Sequence, residues 1–331
     1  MSSDFWNTLP RPILALAPMV GITDSAYRRL AKHWGADVVY SEMIAAEALV
    51  RHVPKAFKMM EFVAAEQPVV IQIMGNNPKV IAEAAKIVEA SGAAGLDLNF
   101  GCPANKIARN FCGVMLMRDL VLSRQIIEAA LSAVTVPVSV KVRTAIYQTA
   151  DLPAGRPRDK VSVLDFINAN QDLPLAAVMI HGRSFEGSFT GPIDTAIIKQ
   201  AKTFFSGPIL ANGGVTTIES AREVLAATKA DGLGLARSVI GQPWVFRQVK
   251  DYLTTGSYKP VSWEEIKQTM QQHADWFYEL YGPKYFQPIR HHLAHYIKGQ
   301  TNASQLRQRL VRVNSPEEVR KILAEINIPS A

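Results

Sequence analysis

Eight short apolar runs punctuate roughly the first 240 residues, and between them the apolar positions fall at helical spacing. The runs are Ile13 to Ala17, Val38 to Tyr40, Val69 to Met74, Gly95 to Asn99, Val138 to Arg143, Ala177 to His181, Ile209 to Asn212 and Gly232 to Leu235. Near-continuous apolar strands belong to a parallel sheet covered on both faces. The intervening helices include Thr23 to His33, Asn77 to Ser91, Arg118 to Val134 and Thr216 to Ala227. Thr216, with Glu219 three residues on, reads as a capping box. Strands and helices alternating in this way predict an α/β fold, a (β/α)8 TIM barrel. From Pro243 the pattern predicts helices alone: Pro243 to Leu253, Trp263 to Tyr281, Tyr285 to Ile297, Ala303 to Val313 and Pro316 to Ile326. The expected division is therefore a barrel over residues 1–242 and a C-terminal helical bundle over 243–331. Tyr147 to Lys160, rich in Pro, Gly and charge, reads as a long loop over the barrel mouth.

Barrel active sites form at the C-terminal ends of the strands, and polar residues recur there. Pro18 and Met19 follow the first run, Glu42 the second, and Gln72 lies near the end of the third. Asn99 and Cys102 end the fourth, Lys141 and Arg143 the fifth, His181 and Arg183 the sixth. Asn212, Gly213 and Gly214 end the seventh, Ala236 and Arg237 the eighth. The stretch Asp97 to Pro103 starts as a strand and stops at a Gly-Cys-Pro turn. Pro103 biases Cys102 away from the helical region, so the thiol sits on a stiff corner. That suits a reactive group, although a buried cysteine acting as a small hydrophobe is the competing reading. The Asn212-Gly213-Gly214 turn beside Arg237 occupies the position where many barrels bind phosphate. Lys141 suits stabilisation of negative charge on a substrate or cofactor ring, or it pairs with Glu42 or Asp97 as scaffold. The Gln72 amide matches the edge of a pyrimidine-like ring. His181 is either a hydrogen-bond partner for a ring oxygen or a satisfied core group.

Composition narrows the classes. The chain has 331 residues, 48% hydrophobic and 20% charged, as in an ordinary globular protein. No apolar run is long enough to cross a bilayer, and the start, Ser2-Ser3-Asp4, has no basic leader region. A cytoplasmic, monomeric protein with no membrane partner is expected. Two cysteines, Cys102 and Cys112, make no disulfide framework. They lack CxxC spacing, and His291, His292 and His295 have no carboxylate or thiol companion, so no metal is expected. Neither GxGxxG nor a Walker A pattern occurs. Net charge is +7, and the segment Lys284 to Lys321 holds eight Lys or Arg against two acids. Such a surplus is a polyanion-binding surface or simply a solvated face.

The ordered set of motifs resembles the tRNA-dihydrouridine synthases, most closely their bacterial B-type branch. It comprises Ala17-Pro18-Met19, Gly21-Ile22-Thr23-Asp24, Gln72-Ile73-Met74-Gly75, Asp97 to Pro103, Lys141-Val142-Arg143, His181-Gly182-Arg183, Asn212-Gly213-Gly214 and Gly241-Gln242-Pro243-Trp244. The tail resembles the family's RNA-binding domain at Arg290, His291, His292 and Tyr296. The resemblance implies reduction of the C5=C6 bond of uridine in tRNA, with FMN as cofactor and NADPH or NADH as its reductant. It implies flavin contacts from Pro18, Met19, Val20, Gln72, Lys141, His181, Asn212, Gly213, Gly214, Ala236 and Arg237. Cys102 would be the general acid, since an ordinary cysteine thiol is mostly protonated at neutral pH. Asn99, Arg143, Arg183, Arg290 and His292 would bind substrate. The chain departs from the family pattern at Ala236, where glycine is usual and a methyl would crowd a phosphate, and at Ala145, Cys112-Gly113-Val114 and His295. Two alternatives remain: an FMN barrel acting on a small pyrimidine, similar to dihydroorotate dehydrogenases, and an RNA-binding homologue without catalysis.

Overall fold

The structure, a computed structural model, describes residues 5–147, 160–187, 191–298 and 303–325. Its strands are β1 (Ile13–Leu16), β2 (Val38–Ala45), β3 (Val69–Met74), β4 (Gly95–Phe100), β5 (Val138–Arg143), β6 (Ala145–Tyr147), β7 (Lys160–Ser162), β8 (Ala177–His181), β9 (Ile209–Asn212) and β10 (Gly232–Leu235). A parallel barrel closes in the order β1-β10-β9-β8-β5-β4-β3-β2, and β6 and β7 make a separate antiparallel hairpin. Around the barrel run α1 (Ser25–His33), α2 (Ala46–Val50), α3 (Pro54–Met60), α4 (Pro78–Ala90), α5 (Asn105–Arg109), α6 (Leu120–Ala133), α7 (Val163–Ala169), α8 (Thr195–Ala201), α9 (Ile218–Thr228) and α10 (Val245–Thr255). The helical tail is α11 (Trp263–Tyr281), α12 (Ile289–Tyr296), α13 (Ala303–Leu310) and α14 (Pro316–Ala324). Among the described residues no helix is long and apolar enough to cross a membrane.

Side chains on a strand alternate between faces, and that alternation sorts the apolar runs into two cores. Leu14, Leu16, Ile71, Leu96, Leu98, Val140 and Ile180 face the helices. Ile13, Ala15, Val38, Tyr40, Val70, Met179 and Leu210 face inward, with Trp6 packed among them. The inward set fills the barrel's N-terminal part only. Toward the C-terminal ends the same inward positions carry Gln72, Asp97, Asn99, Ser139, Lys141, His181 and Asn212, so the interior changes from apolar to polar along its axis.

Several expected boundaries move for identifiable reasons. The cap of α9 is Thr217 with Ser220, not Thr216 with Glu219: the Thr217 hydroxyl accepts from the Ser220 N–H, and the Ser220 hydroxyl accepts from the Thr217 N–H. Glu219 accepts from the Tyr258 hydroxyl instead. Strand β2 runs past Tyr40 through a register shift before Met43, which puts Glu42 within the strand. Its carboxylate accepts from the Gly21 N–H, tying β2 to the loop after β1. The helix expected from Arg118 begins at Leu120, because Gly113–Arg118 forms a tighter 3-10 turn and Asp119 caps the α-helix that follows. In the tail, the helix expected from Tyr285 starts at Ile289. Of the expected Tyr147 to Lys160 loop, both ends pair as strands, and residues 148–159 lie outside the described residues.

Helix α10 sides with the barrel in its packing. Val245, Phe246 and Val249 of α10 belong to the barrel's outer core, so α10 is the eighth barrel helix. Burying such side chains contributes about 1.5–3 kcal/mol each. The second core gathers α11 to α14 around Met270, Phe277, Phe286 and Leu293, and Ala26, Trp34 and Trp244 join it from the barrel side. Helix α10 thus packs with the barrel, and α11 to α14 with the second core.

Candidate active site

At the C-terminal end of the barrel a cleft of about 640 Å³ opens. Every strand end expected to carry chemistry contributes to its wall, save that Met43 represents β2 rather than Glu42. Cys102, Asn99, Arg143 and Arg183 line it, and so do all eleven residues expected to hold a cofactor. Ala236 has a negative φ of −129°, so no left-handed backbone calls for glycine there, and its methyl packs beside the inward apolar set.

The floor is a hydrogen-bonded chain. Asp97, fully buried, accepts from the Gln72 amide at 2.7 Å and from the Ser139 hydroxyl at 2.7 Å. The Gln72 carbonyl accepts from the Asn99 amide at 2.8 Å, and the Asn99 carbonyl accepts from the backbone N–H of Cys102 at 2.9 Å and of Gly101 at 3.2 Å. Arg143, also buried, closes the turn from the other side by donating to the Gly101 and Ser184 carbonyls. The Cys102 carbonyl accepts from the Val114 N–H. A Cβ at Gly113, where φ is +62°, would fall 2.7 Å from that same carbonyl oxygen, so glycine is required there. Cys102 is thus half-buried on a turn fixed at three points.

Charge gathers from the neighbouring strand ends onward. Lys141 donates to the Asn212 carbonyl at 2.9 Å, and the Asn212 amide donates to the Gly234 carbonyl. The scaffold pairing of Lys141 with Glu42 or Asp97 is thus replaced by an amide. Burial brings the Lys141 ammonium down to about 8, with Arg143 adding to the fall and Asp97 and Cys102 opposing it. His181 falls to about 2, first through burial and then through Lys141, Arg143, Arg183 and Arg237. It is neutral at any ordinary pH. Gly213 and Gly214 take φ +95° and +79°. A Cβ on Gly213 would lie 3.1 Å from the His181 ring and 3.3 Å from the Arg183 guanidinium.

Arg290 and His292 do not reach the cleft. Arg290 donates to the Val313 and Arg312 carbonyls and to Asn314. His292 is 2% exposed, packed against Tyr27 and His273 where the tail meets the barrel, and burial holds its pKa near 3. The tail residue that does line the cleft is Lys298, which sequence reading passed over. Ser139 was also passed over, although it sits at an inward position of β5. Among the described residues no cluster of three or more His, Cys, Asp or Glu is placed to hold a metal ion.

The family profile described as dihydrouridine synthase (Dus) matches residues 15–331. The chain belongs to the dihydrouridine synthase family, and it is an enzyme of that family. It is 35% identical over 316 residues to a probable tRNA-dihydrouridine synthase of Rickettsia bellii, covering 94% of each chain. It is 33% identical to tRNA-dihydrouridine synthase B of Xanthomonas campestris pv. campestris, covering 92% of this chain and 90% of that one. Among solved structures, histamine dehydrogenase from Rhizobium sp. 4-9 superposes with a TM-score of 0.53 at 14% identity, covering 80% of this chain and 49% of that one. Morphinone reductase does so with 0.51 at 11%, covering 76% and 89%. At those identities the likeness speaks for the barrel fold alone.

Proposed function

We propose that this protein reduces the C5=C6 bond of uridine in tRNA to 5,6-dihydrouridine, with FMN in the cleft and NADPH or NADH as the ultimate reductant. The observation that carries the reading is Cys102, a thiol on a rigid turn at the rim of a cavity walled by cations. The lining supports a phosphate-bearing cofactor: a Cβ on Gly213 would crowd His181 and Arg183, and Gly213, Gly214, Arg183 and Arg237 line the same cleft, a combination that suits a phosphate. Gln72, Lys141, His181 and Asn212, with Pro18, Met19 and Val20 from the loop after β1, line the cleft and would hold the ring.

The chemistry a flavin would supply when bound here is a hydride for C6 of the uracil. Cys102 donates its Sγ proton to C5, and solvent restores it in the next cycle. The thiolate left behind feels the charges of Lys141 and Arg143, each of which interacts electrostatically with Cys102. Arg143 holds the turn through the Gly101 carbonyl, and neutral His181 can donate or accept a hydrogen bond without adding charge.

The test is mass mapping of dihydrouridine in cellular tRNA with and without the gene, alongside Cys102→Ala in the purified yellow protein. Removing the general acid is expected to slow turnover by about 10²–10⁴-fold with flavin retained. Undiminished turnover in Cys102→Ala would remove the thiol from the reaction.

A further inference from the structure

The chain of hydrogen bonds beneath the cleft has a direction, held at one end by Asp97 and at the other by the backbone N–H groups of Gly101 and Cys102. An amide side chain offers a donor at one end and an acceptor at the other, and either orientation fills the same space. A buried carboxylate that is ionised only accepts. Asp97 therefore turns the Gln72 amide so that its N–H group faces the carboxylate and its carbonyl faces Asn99. The Asn99 amide must then donate to Gln72, which leaves the Asn99 carbonyl for the N–H groups of Gly101 and Cys102. In the reverse orientation two backbone donors would meet an NH2 group, leaving buried polar atoms unmatched. The register supports the chain: Gln72 is directly paired with Asp97, and Asp97 with Ser139, across three adjacent strands.

We propose that Asp97 is a positioning residue for Cys102, acting through the fixed polarity of the Gln72 and Asn99 amides to hold the Gly-Cys turn at the cleft rim. The proposal rests on Cys102 being the proton donor of the reaction, but its effect on the turn does not. Burial raises the Asp97 carboxyl to about 6, while Gln72, Ser139 and Lys141 pull it back, so it is mostly ionised at neutral pH. The same polarity leaves Gln72 with a second amide proton and a second carbonyl lone pair for a ligand in the cleft.

The experiment compares Asp97→Leu with Asp97→Asn in the full-length flavin-loaded enzyme. Two readouts are followed: backbone amide exchange at Gly101 and Cys102, and kcat and KM for a tRNA transcript. Asparagine can accept from Gln72 and donate to Ser139, so the backbone donors at the far end keep the chain in its original direction. Asp97→Asn is expected to retain slow local exchange and a kcat close to that of the parent. Asp97→Leu is expected to speed exchange at the turn but not elsewhere. It should also lower kcat by about 10²-fold with KM unchanged, as a misplacement of about 1 Å does. If Asp97→Leu does not fold, Gln72→Leu cuts the same chain one link further on and should speed the same two amides. Unchanged exchange at Gly101 and Cys102 in the leucine variant that folds overturns the proposal. So does an Asp97→Asn variant as impaired as Asp97→Leu, since charge rather than polarity would then be the cause. Should the parent enzyme form no dihydrouridine, the functional reading fails while the exchange measurement still judges Asp97.

Discussion

Two regions carry the positive charge of this molecule, and they differ in what folds up against it. In the cleft Lys141, Arg143, Arg183, Arg237 and Lys298 line one cavity, and among the described residues that lining includes no aspartate or glutamate. In the tail the bases are dispersed, and three of them are engaged with partners of their own. Arg309 meets Glu325 at 2.6 Å, Arg320 lies 3.6 Å from Asp275, and Arg290 is turned onto backbone carbonyls. The tail dominates the charge count along the sequence, yet the cleft concentrates its cations in a low-dielectric hollow, where each acts more strongly on what enters. A surplus counted along a segment is therefore a poor guide to where an anion will sit.

The comparison can be broken first at Lys141. Lys141→Met should lower kcat by about 10²-fold, because a preorganised cation is removed from the place where negative charge develops. A variant with parental kcat would show that this lining acts in binding only. Next in size is the response to acid. His181 and His292 are held at about 2 and about 3, below the ordinary 6.5, with burial the first cause of each. Between those values and 6.5 the unfolded chain binds more protons than the native one. Their contribution is therefore present above pH 6.5 and is lost as pH falls. Asp24 and Asp97, raised to about 7 and about 6 chiefly by burial, act in the opposite sense, giving stability at low pH that fades as pH rises through those values. His292→Phe should accordingly flatten the decline of the thermal midpoint between pH 6.5 and 4. A slope identical to the parent's would mean that His292 takes its proton as freely in the fold as outside it. The smallest effect is expected in the tail. Arg309→Ala removes one exposed ion pair and should change stability by about 0–1 kcal/mol. Its KM for tRNA should stay near the parent's at physiological salt, and a large rise would restore the tail as the main electrostatic contact.

Much of this was legible in the chain. The apolar runs located the barrel strands because a doubly covered parallel sheet leaves few ways to write them, and strand ends located Cys102, Lys141, His181 and Asn212. What escaped were features decided across distance. Arg290 and His292 matched a family pattern, but only packing reveals that one is engaged with backbone and the other enclosed between Tyr27 and His273. Helix α10 carries the same apolar spacing as every later helix, so its place beside α9 and the outer barrel core shows only in the packing. Asp97 was visible within its motif, yet its role depends on the facing residues of β3 and β5.

The position of α10 also bears on how the protein comes apart. Trp244, one residue before that helix, packs edge-on to Trp34 within the tail's core, while Val245 and Phe246 sit in the barrel's. A single turn of backbone thus serves both compartments, and neither can open without tugging on the other. Heating should accordingly give one calorimetric peak, and a catalytic fragment trimmed at residue 242 would lose a stave of the barrel itself.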